Sequence, residues 1–295
     1  MVVTLALGIG ANTAMFSVVN TILLQPLPYK DSGRLVSLWT TSKNGQRSST
    51  AFPDFREIRE QNRTFDSVAA YTRRLVSVRG TQYPQRFRAL VVSPEFLSTL
   101  DVQPRLGRDF RTEEGEYGSN NRVVIITDSM WRSSFGSDPQ IIGRNIILDA
   151  QPYTIVGVLP PDVWFLDFTD QLMLPLSVPP ALDNRANHYL NMIGRLRPGV
   201  SREIAAHDLT RIATTTGEIY SLNKGTEFQL ALLQQEVTRN VRNAVLVLMA
   251  AADLSFSLHA ATWPACSWPD VSFARRKLQC AWHWARSPAI SSVNS

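Results

Sequence analysis

Residues 122–135 read Arg-Val-Val-Ile-Ile-Thr-Asp-Ser-Met-Trp-Arg-Ser-Ser-Phe. The run Arg122–Thr127 is dominated by β-branched side chains, which suit a strand. Asp128 is placed to cap a helix behind it, with Trp131 and Phe135 one helical turn apart on one face. Just downstream, Asn145–Leu148 and Tyr153–Val158 flank Asp149-Ala150-Gln151-Pro152, the pattern of a hairpin. Strand, turn, short helix and hairpin within forty residues already exclude an all-helical chain.

The same alternation continues on both sides. Upstream, Arg86–Val92 carries Phe87, Ala89 and Val91 on one side, and Ser93-Pro94 opens a short helix holding Phe96, Leu97 and Leu100. Pro53 suits the first position of a helix in which Phe55 and Ile58 share a face. Arg34–Thr40 reads as a buried strand, with Leu35, Ser37 and Trp39 alternating against Val36 and Leu38, and the polar run Thr41–Ser49 reads as a loop. Downstream, Leu190–Leu196 is a strand, and Ser201 caps a helix with Ala205, Leu209 and Ile212 at i, i+4 and i+7. The expected fold class is therefore α+β, built from mixed β-sheets and short helices.

The two ends differ from this middle. Val2–Leu24 is 23 residues without a charge, about 34 Å as a helix, against a bilayer core of about 30 Å. No basic residue precedes it, which disfavours a secretory signal. The expectation is a transmembrane helix over 1–24, with Ala6, Gly10 and Ala14 lending a small-residue face for close helix contact. Pro26 and Pro28 end it. A second apolar run, Ala244–Ala252, is halted by Asp253 and is too short to span a bilayer. The tail that follows holds four of the seven tryptophans (Trp263, Trp268, Trp282 and Trp284) and both cysteines, Cys266 and Cys280.

Composition narrows the function classes. The chain has 295 residues, 44% hydrophobic and 19% charged, with a net charge of +5, so global disorder is not expected. Its Lys and Arg are scattered singly through the middle and read as a solvated surface, with no nucleic-acid partner. Residues 1–265 contain no cysteine, which removes a disulfide framework or a thiolate metal cluster from the main domain. His188, His207, His259 and His283 are isolated, His207 as a solvated residue on the helix after Ser201. Glu113, Glu114 and Glu116 sit beside Gly115 and Gly118, which favours a loop over paired catalytic carboxylates. Ser129, Ser133 and Ser134 lack a nucleophile-elbow context. Asn62-Arg63-Thr64 fits a glycosylation sequon, and Gly8-Ile9-Gly10-Ala11 lacks the third glycine of a dinucleotide turn. There is no P-loop. Catalytic, cofactor and metal residues are accordingly expected to be none, and the chain is not expected to be an enzyme.

Several segments together resemble the MacB-like periplasmic core domain of FtsX-type ABC transporter permeases, in particular the orphan permeases of Acidobacteria. Thr4–Ser17 is similar to the family's first membrane helix and Gln25–Tyr29 to its link into the periplasm. Trp131, Phe135, Asp138-Pro139, Ile142-Gly143 and Tyr153–Pro160 match in order and spacing, as does Arg195–Ser201. Ala150-Gln151 stands where relatives often carry glycine. The resemblance covers residues 1 to about 252. It implies a two-subdomain periplasmic core over 25–240, the start of a second transmembrane helix over 241–252, and an inner-membrane protein whose main domain is periplasmic. The implied partners are inner-membrane lipid, a separate cytoplasmic ATPase, and periplasmic or outer-membrane proteins. The implied role is mechanical, passing motion to a substrate or partner during export; the alternative is a membrane-tethered interaction module without transport. The basic residues Lys30, Arg34, Arg239 and Arg242 flank the apolar runs, so the periplasmic placement rests on the resemblance and not on the positive-inside rule.

The tail, 253–295, departs from the family and is expected to be disordered. Read one nucleotide upstream, any codons for Trp282-His283-Trp284-Ala285 give Met, Val or Leu followed by Ala-Leu-Gly, a run similar to one that follows the family's second helix. A frameshift near Asp253 is the expectation, leaving a fragment that does not transport alone.

Overall fold

The computed structural model describes residues 27–239, apart from 42–43, 80–84, 120, 162 and 164–169, together with residue 247. The expected membrane helix over 1–24, nearly all of the second apolar run and the tail lie outside the described residues. Ile22–Arg242 form one compact unit.

Twelve strands and four α-helices are described, in an α+β arrangement. In chain order they are β1 (Leu35–Thr41), β2 (Arg47–Ser48), β3 (Thr50–Ala51), α1 (Phe52–Gln61), β4 (Phe65–Arg79), β5 (Gln85–Val92) and α2 (Phe96–Leu100). There follow β6 (Leu106–Gly107), β7 (Val123–Ile126), α3 (Asp128–Phe135), β8 (Asn145–Leu148), β9 (Gln151–Val158), β10 (Asp170–Pro175), β11 (His188–Leu196), α4 (Arg202–Ile219) and β12 (Glu227–Leu232). Residues 233–239 are helical.

The strands join in the order β12-β1-β11-β4-β5-β10-β7-β9-β6, with β8 bridging β4 and β9. Most pairs are antiparallel, but β5 with β10 and β7 with β9 are parallel. A parallel pair requires a crossover, and α3 and β8 lie within the one between β7 and β9.

The fifteen-residue strand β4 organises the rest. Its first half pairs with β11, from Phe65↔Leu196 to Tyr71↔Asn191. Its second half pairs with β5, from Tyr71↔Val92 to Val78↔Gln85. Each half contributes to a different hydrophobic cluster. Phe65, Val68 and Ala70 join Phe55 and Ile58 of α1, and Leu209 and Ile212 of α4. Val76 and Val78 join Met130 and Trp131 of α3, with Ile146, Ile155 and Val158. Between them Ala69 and Tyr71 enter a third cluster with Leu90, Phe96 and Leu100.

The expected elements appear with shifted details. Ser201 caps α4 by accepting a hydrogen bond from the Ile204 amide, as its position suggests. At α3 the cap is Thr127, which accepts from the Met130 amide, and not Asp128. Asp128 is instead the first helical residue, where it pairs with Arg105 at 3.2 Å and Arg132 at 2.6 Å. The β8–β9 turn is only Asp149-Ala150, both left-handed (φ 48° and 66°), while Gln151 and Pro152 belong to β9. Two residues with positive φ match the twist of a tight hairpin, so Ala150 occupies a conformation that glycine adopts more easily. The Thr41–Ser49 loop contains β2, paired with the end of β1.

Candidate functional site: the joint where the connecting segments meet the core

The residues that bring the chain into the fold and those that take it out both end on the central cluster. Leu27 and Tyr29 are buried in it, as is Leu233, with Val237 packed against it. Burial raises the Tyr29 phenol well above its ordinary pKa, as expected for a hydroxyl taken out of water.

The incoming segment turns sharply at Asp31, a left-handed residue (φ 48°) that opens the 3-10 turn Ser32–Arg34. Three cationic side chains pin it. Lys30 Nζ lies 3.3 Å from Asp101, just past α2. Arg34 pairs with Asp66 at the start of β4, and its Nε donates to the Leu196 carbonyl at 2.8 Å. Arg195 acts from inside the sheet. It lies on β11 between Leu35 of β1 and Ser67 of β4. Its Nε donates to the Thr99 carbonyl at 2.8 Å and its Nη1 to the Lys30 carbonyl at 2.9 Å.

Arg195 is unusual in its surroundings. It is only 7% exposed, and no carboxylate among the described residues bonds it directly. Its Nη2 is buried without a hydrogen-bond partner. Burial, helped by the neighbouring Arg34 charge, lowers its pKa. Holding a guanidinium out of water costs free energy unless its donors are satisfied. Here the rigid fork instead ties two backbone carbonyls, one on the incoming segment and one on α2.

The outgoing segment is pinned at a second point. Glu236 accepts from Arg47 at 2.8 Å, and the Arg47 guanidinium stacks 4.1 Å above the Trp39 ring of β1. Both connections are therefore fastened to β1, β11, α2 and the central cluster by packing and charge together.

A second polar cluster ties α1 to the end of α4. Asp54 is fully buried and pairs with Arg185, while the Asn223 amide donates to it at 2.8 Å. Arg185 also donates to Glu57 at 2.6 Å and lies 3.6 Å from the Tyr220 ring centroid. Burial raises the Asp54 pKa, against the lowering influence of Asn223 and Arg185. An open cleft of about 490 Å³ lies beside this cluster, lined in part by Arg56, Asp183, Ile219 and Leu222.

The polar residues singled out in the sequence fall elsewhere. Glu114 is buried, pairs with Arg108 at 2.6 Å and accepts from the Arg111 amide, which holds its pKa below the ordinary value against burial. Asn62 caps α1 through the Ile58 and Arg59 carbonyls. Ser129 hydrogen-bonds within the α3 start, and His188 Nδ1 lies 2.9 Å from the Ser49 carbonyl. His207 is exposed on α4, and His259 and His283 lie outside the described residues. Among the described residues, no three His, Cys, Asp or Glu side chains are placed to hold a metal. In the sequence Arg195 figures only as the first residue of the Arg195–Ser201 run, and Arg185 was not singled out. A lone arginine carries no local signal of burial; only the register of β11 reveals it.

No curated protein matches the chain. Among solved structures, the periplasmic region of MacB from Actinobacillus actinomycetemcomitans aligns with a TM-score of 0.52 at 14% identity, covering 72% of this chain and 94% of that one. A domain of a putative permease from Porphyromonas gingivalis aligns with a TM-score of 0.51 at 18% identity, covering 69% and 92%. At these identities the likeness concerns the fold. The sequence match is decisive: the family described as the MacB-like periplasmic core domain covers residues 1–212, and the chain belongs to that family of ABC transporter permease domains.

Proposed function

We propose that this domain is the extracytoplasmic relay of a transporter permease, held at the inner membrane and driven by a separate cytoplasmic ATPase. It makes and breaks no covalent bond. Displacement of the connecting segments is passed through the joint to the sheet, and from the sheet to a substrate or partner protein. The domain by itself would move nothing across a membrane.

The observation that carries this reading is the fastening of the connecting segments. Arg195 grips the Lys30 carbonyl and the Thr99 carbonyl from within β11, and Leu27, Tyr29 and Leu233 are buried in the same cluster. A flexible tether would need no such grip. A packed, hydrogen-bonded joint moves as a unit because close-packed interiors deform little.

Pulling on the full chain with optical tweezers, through cysteine handles at the exposed Pro28 and Arg239 with Cys266 and Cys280 replaced by serine, tests the relay. The wild-type chain is expected to resist until the domain opens in one cooperative step. Arg195→Ala is expected to release the incoming segment first, at lower force, with the later opening step retained. A wild-type chain whose connecting segments peel away at low force before the core opens would sink the reading.

A further inference from the structure

The hairpin Tyr71–Val92 contains five arginines, Arg73, Arg74, Arg79, Arg86 and Arg88, and not one acidic residue. The linear sequence shows one adjacent pair, Arg73-Arg74, and three single arginines. The β4–β5 register gathers three of them, because Arg73 lies opposite Leu90, Leu75 opposite Arg88, and Ser77 opposite Arg86. Side chains alternate across a strand, so Arg73, Leu75 and Ser77 share one face with Arg86, Arg88 and Leu90. Arg74 stands on the other face, opposite Ala89.

One carboxylate already sits on this face. Asp170, at the start of β10, accepts from Arg73 Nε at 2.9 Å and lies 4.0 Å from Arg88 Nε. It shows which chemistry fits: a carboxylate between guanidinium forks. Arg88 remains 45% exposed. Arg86 is exposed, with no hydrogen-bond or ion-pair partner among the described residues. Leu75, beside them, is 62% exposed. Isolated exposed leucines are ordinary. This one stands beside Arg86, with Arg73 and Arg88 sharing Asp170, and Arg beside an apolar anchor is the composition of a protein-binding hot spot.

We infer that this face of the β4–β5 hairpin docks an acidic segment of a partner protein. The partner's carboxylates bind Arg86 and Arg88, and one of its apolar side chains packs on Leu75. Arginine in place of lysine favours planar carboxylates read by two parallel hydrogen bonds. The exposed leucine favours a protein over a head-group surface, which would leave it in water. The inference needs only the fold and stands apart from the relay reading.

The test is fluorescence anisotropy of a labelled synthetic peptide of glutamate and serine carrying one central leucine, titrated with the detergent-solubilised full chain at low salt. Arg86→Glu and Leu75→Ser are each expected to raise the Kd about tenfold, the scale of a hot-spot contact. Arg86→Gln is expected to fall between wild type and Arg86→Glu. Arg74→Glu, with the same change of net charge on the opposite face, is expected to stay within about twofold, as a screened, more distant charge should. All three side chains are exposed, so unchanged thermal melts are expected to accompany these shifts. Absence of wild-type binding overturns the proposal. So does an equal loss in Arg74→Glu, which would mean unspecific attraction, or displacement of the peptide by phosphatidylglycerol vesicles, which would mean a lipid surface.

Discussion

The two halves of β4 are one continuous strand in two different environments. Phe65 is buried at its start, and from Val68 to Tyr71 it is covered on both faces: Val68, Ala69, Ala70 and Tyr71 are all buried. From Thr72 to Val78 it is covered on one face only, with Val76 and Val78 buried, and Leu75 exposed opposite Arg88. The first half runs beside the joint and is shaped by packing. The second half projects from it as a half-wet ribbon, whose exposed face is free to be shaped by contact with something else. The same backbone thus serves as a stiff member at one end and as a presenting surface at the other. The rise of about 3.3 Å per residue puts roughly 25 Å between Tyr71 and the ribbon's far end.

If that contrast is real, the largest effect will come from disturbing the first half. Gly194 of β11 faces Phe65, and a Cβ there would lie 2.8 Å from the Phe65 ring and 3.2 Å from a Leu38 methyl. Gly194→Val must push apart Phe65 and Leu38, both of one buried cluster, and is expected to cost about 3 kcal/mol or more, as overpacking does. Phe65→Ala, at 2% exposure, is expected to cost a similar 3–5 kcal/mol through its cavity. Urea denaturation of the purified full chain measures both. Little change in either midpoint would mean that this half is not the stiff one.

The buried charge cluster comes next. Asp54→Ala removes a fully buried carboxylate and leaves Arg185 with Glu57 alone, which is expected to cost about 3 kcal/mol. Replacing Arg185 by Met in the same background is expected to recover part of that loss, since an apolar side chain needs no counter-charge there. A double variant as unstable as Asp54→Ala alone would show that the cluster's packing matters more than its charge.

How much of this was legible in the sequence depends on how local each signal is. Phe55 with Ile58, the Ser201 cap and the β7–α3 join depend on residues three or four apart, and the structure places them close to where the pattern suggested. The resemblance to the permease domain rested on such local runs as well. β4 itself escaped the pattern. Its first half opens on Phe65-Asp66-Ser67 and then runs Val68–Tyr71 with both faces buried, so no alternation marks it, and its second half mixes Arg with Leu and Val in a way that resembles a surface loop. The joint escaped for a different reason: Arg195 meets the Lys30 carbonyl 165 residues away, and no spacing rule reaches so far. The arginine face is intermediate. Its three arginines, Arg73, Arg86 and Arg88, lie within one hairpin, yet nothing unites them until the register assigns each to a side.

A titration sharpens the boundary between the halves at a smaller scale. Asp109 precedes Phe110, a member of the central cluster, and burial raises its pKa to about 6 against the lowering influence of the Phe110 amide and Arg108. Because the folded value lies above the unfolded one, near 4, the native state binds the extra proton between about pH 4 and 6. Stability from this group is therefore present at low pH and lost as pH rises through 6. Asp109→Asn is expected to remove that slope, about 1 kcal/mol once solvent screening is allowed for, in urea midpoints compared at pH 4.5 and 7. An unchanged slope would place Asp109 in water, outside the central cluster.

The smallest effect is expected where the contrast predicts almost none. Leu75→Ala removes the same kind of apolar side chain as a core truncation, from the same strand as Phe65, but from a position already 62% exposed. Little apolar surface returns to water and no cavity forms, so the change in stability is expected to stay within about 0.5 kcal/mol. Val76→Ala, one residue on and 1% exposed, provides the internal control, with an expected cost of about 1–2 kcal/mol for the lost methyl groups. A difference between these neighbours would show that the ribbon has one dry face and one wet face in solution. Equal costs would mean that something in the chain covers Leu75, and the exposed face would no longer be available to a partner.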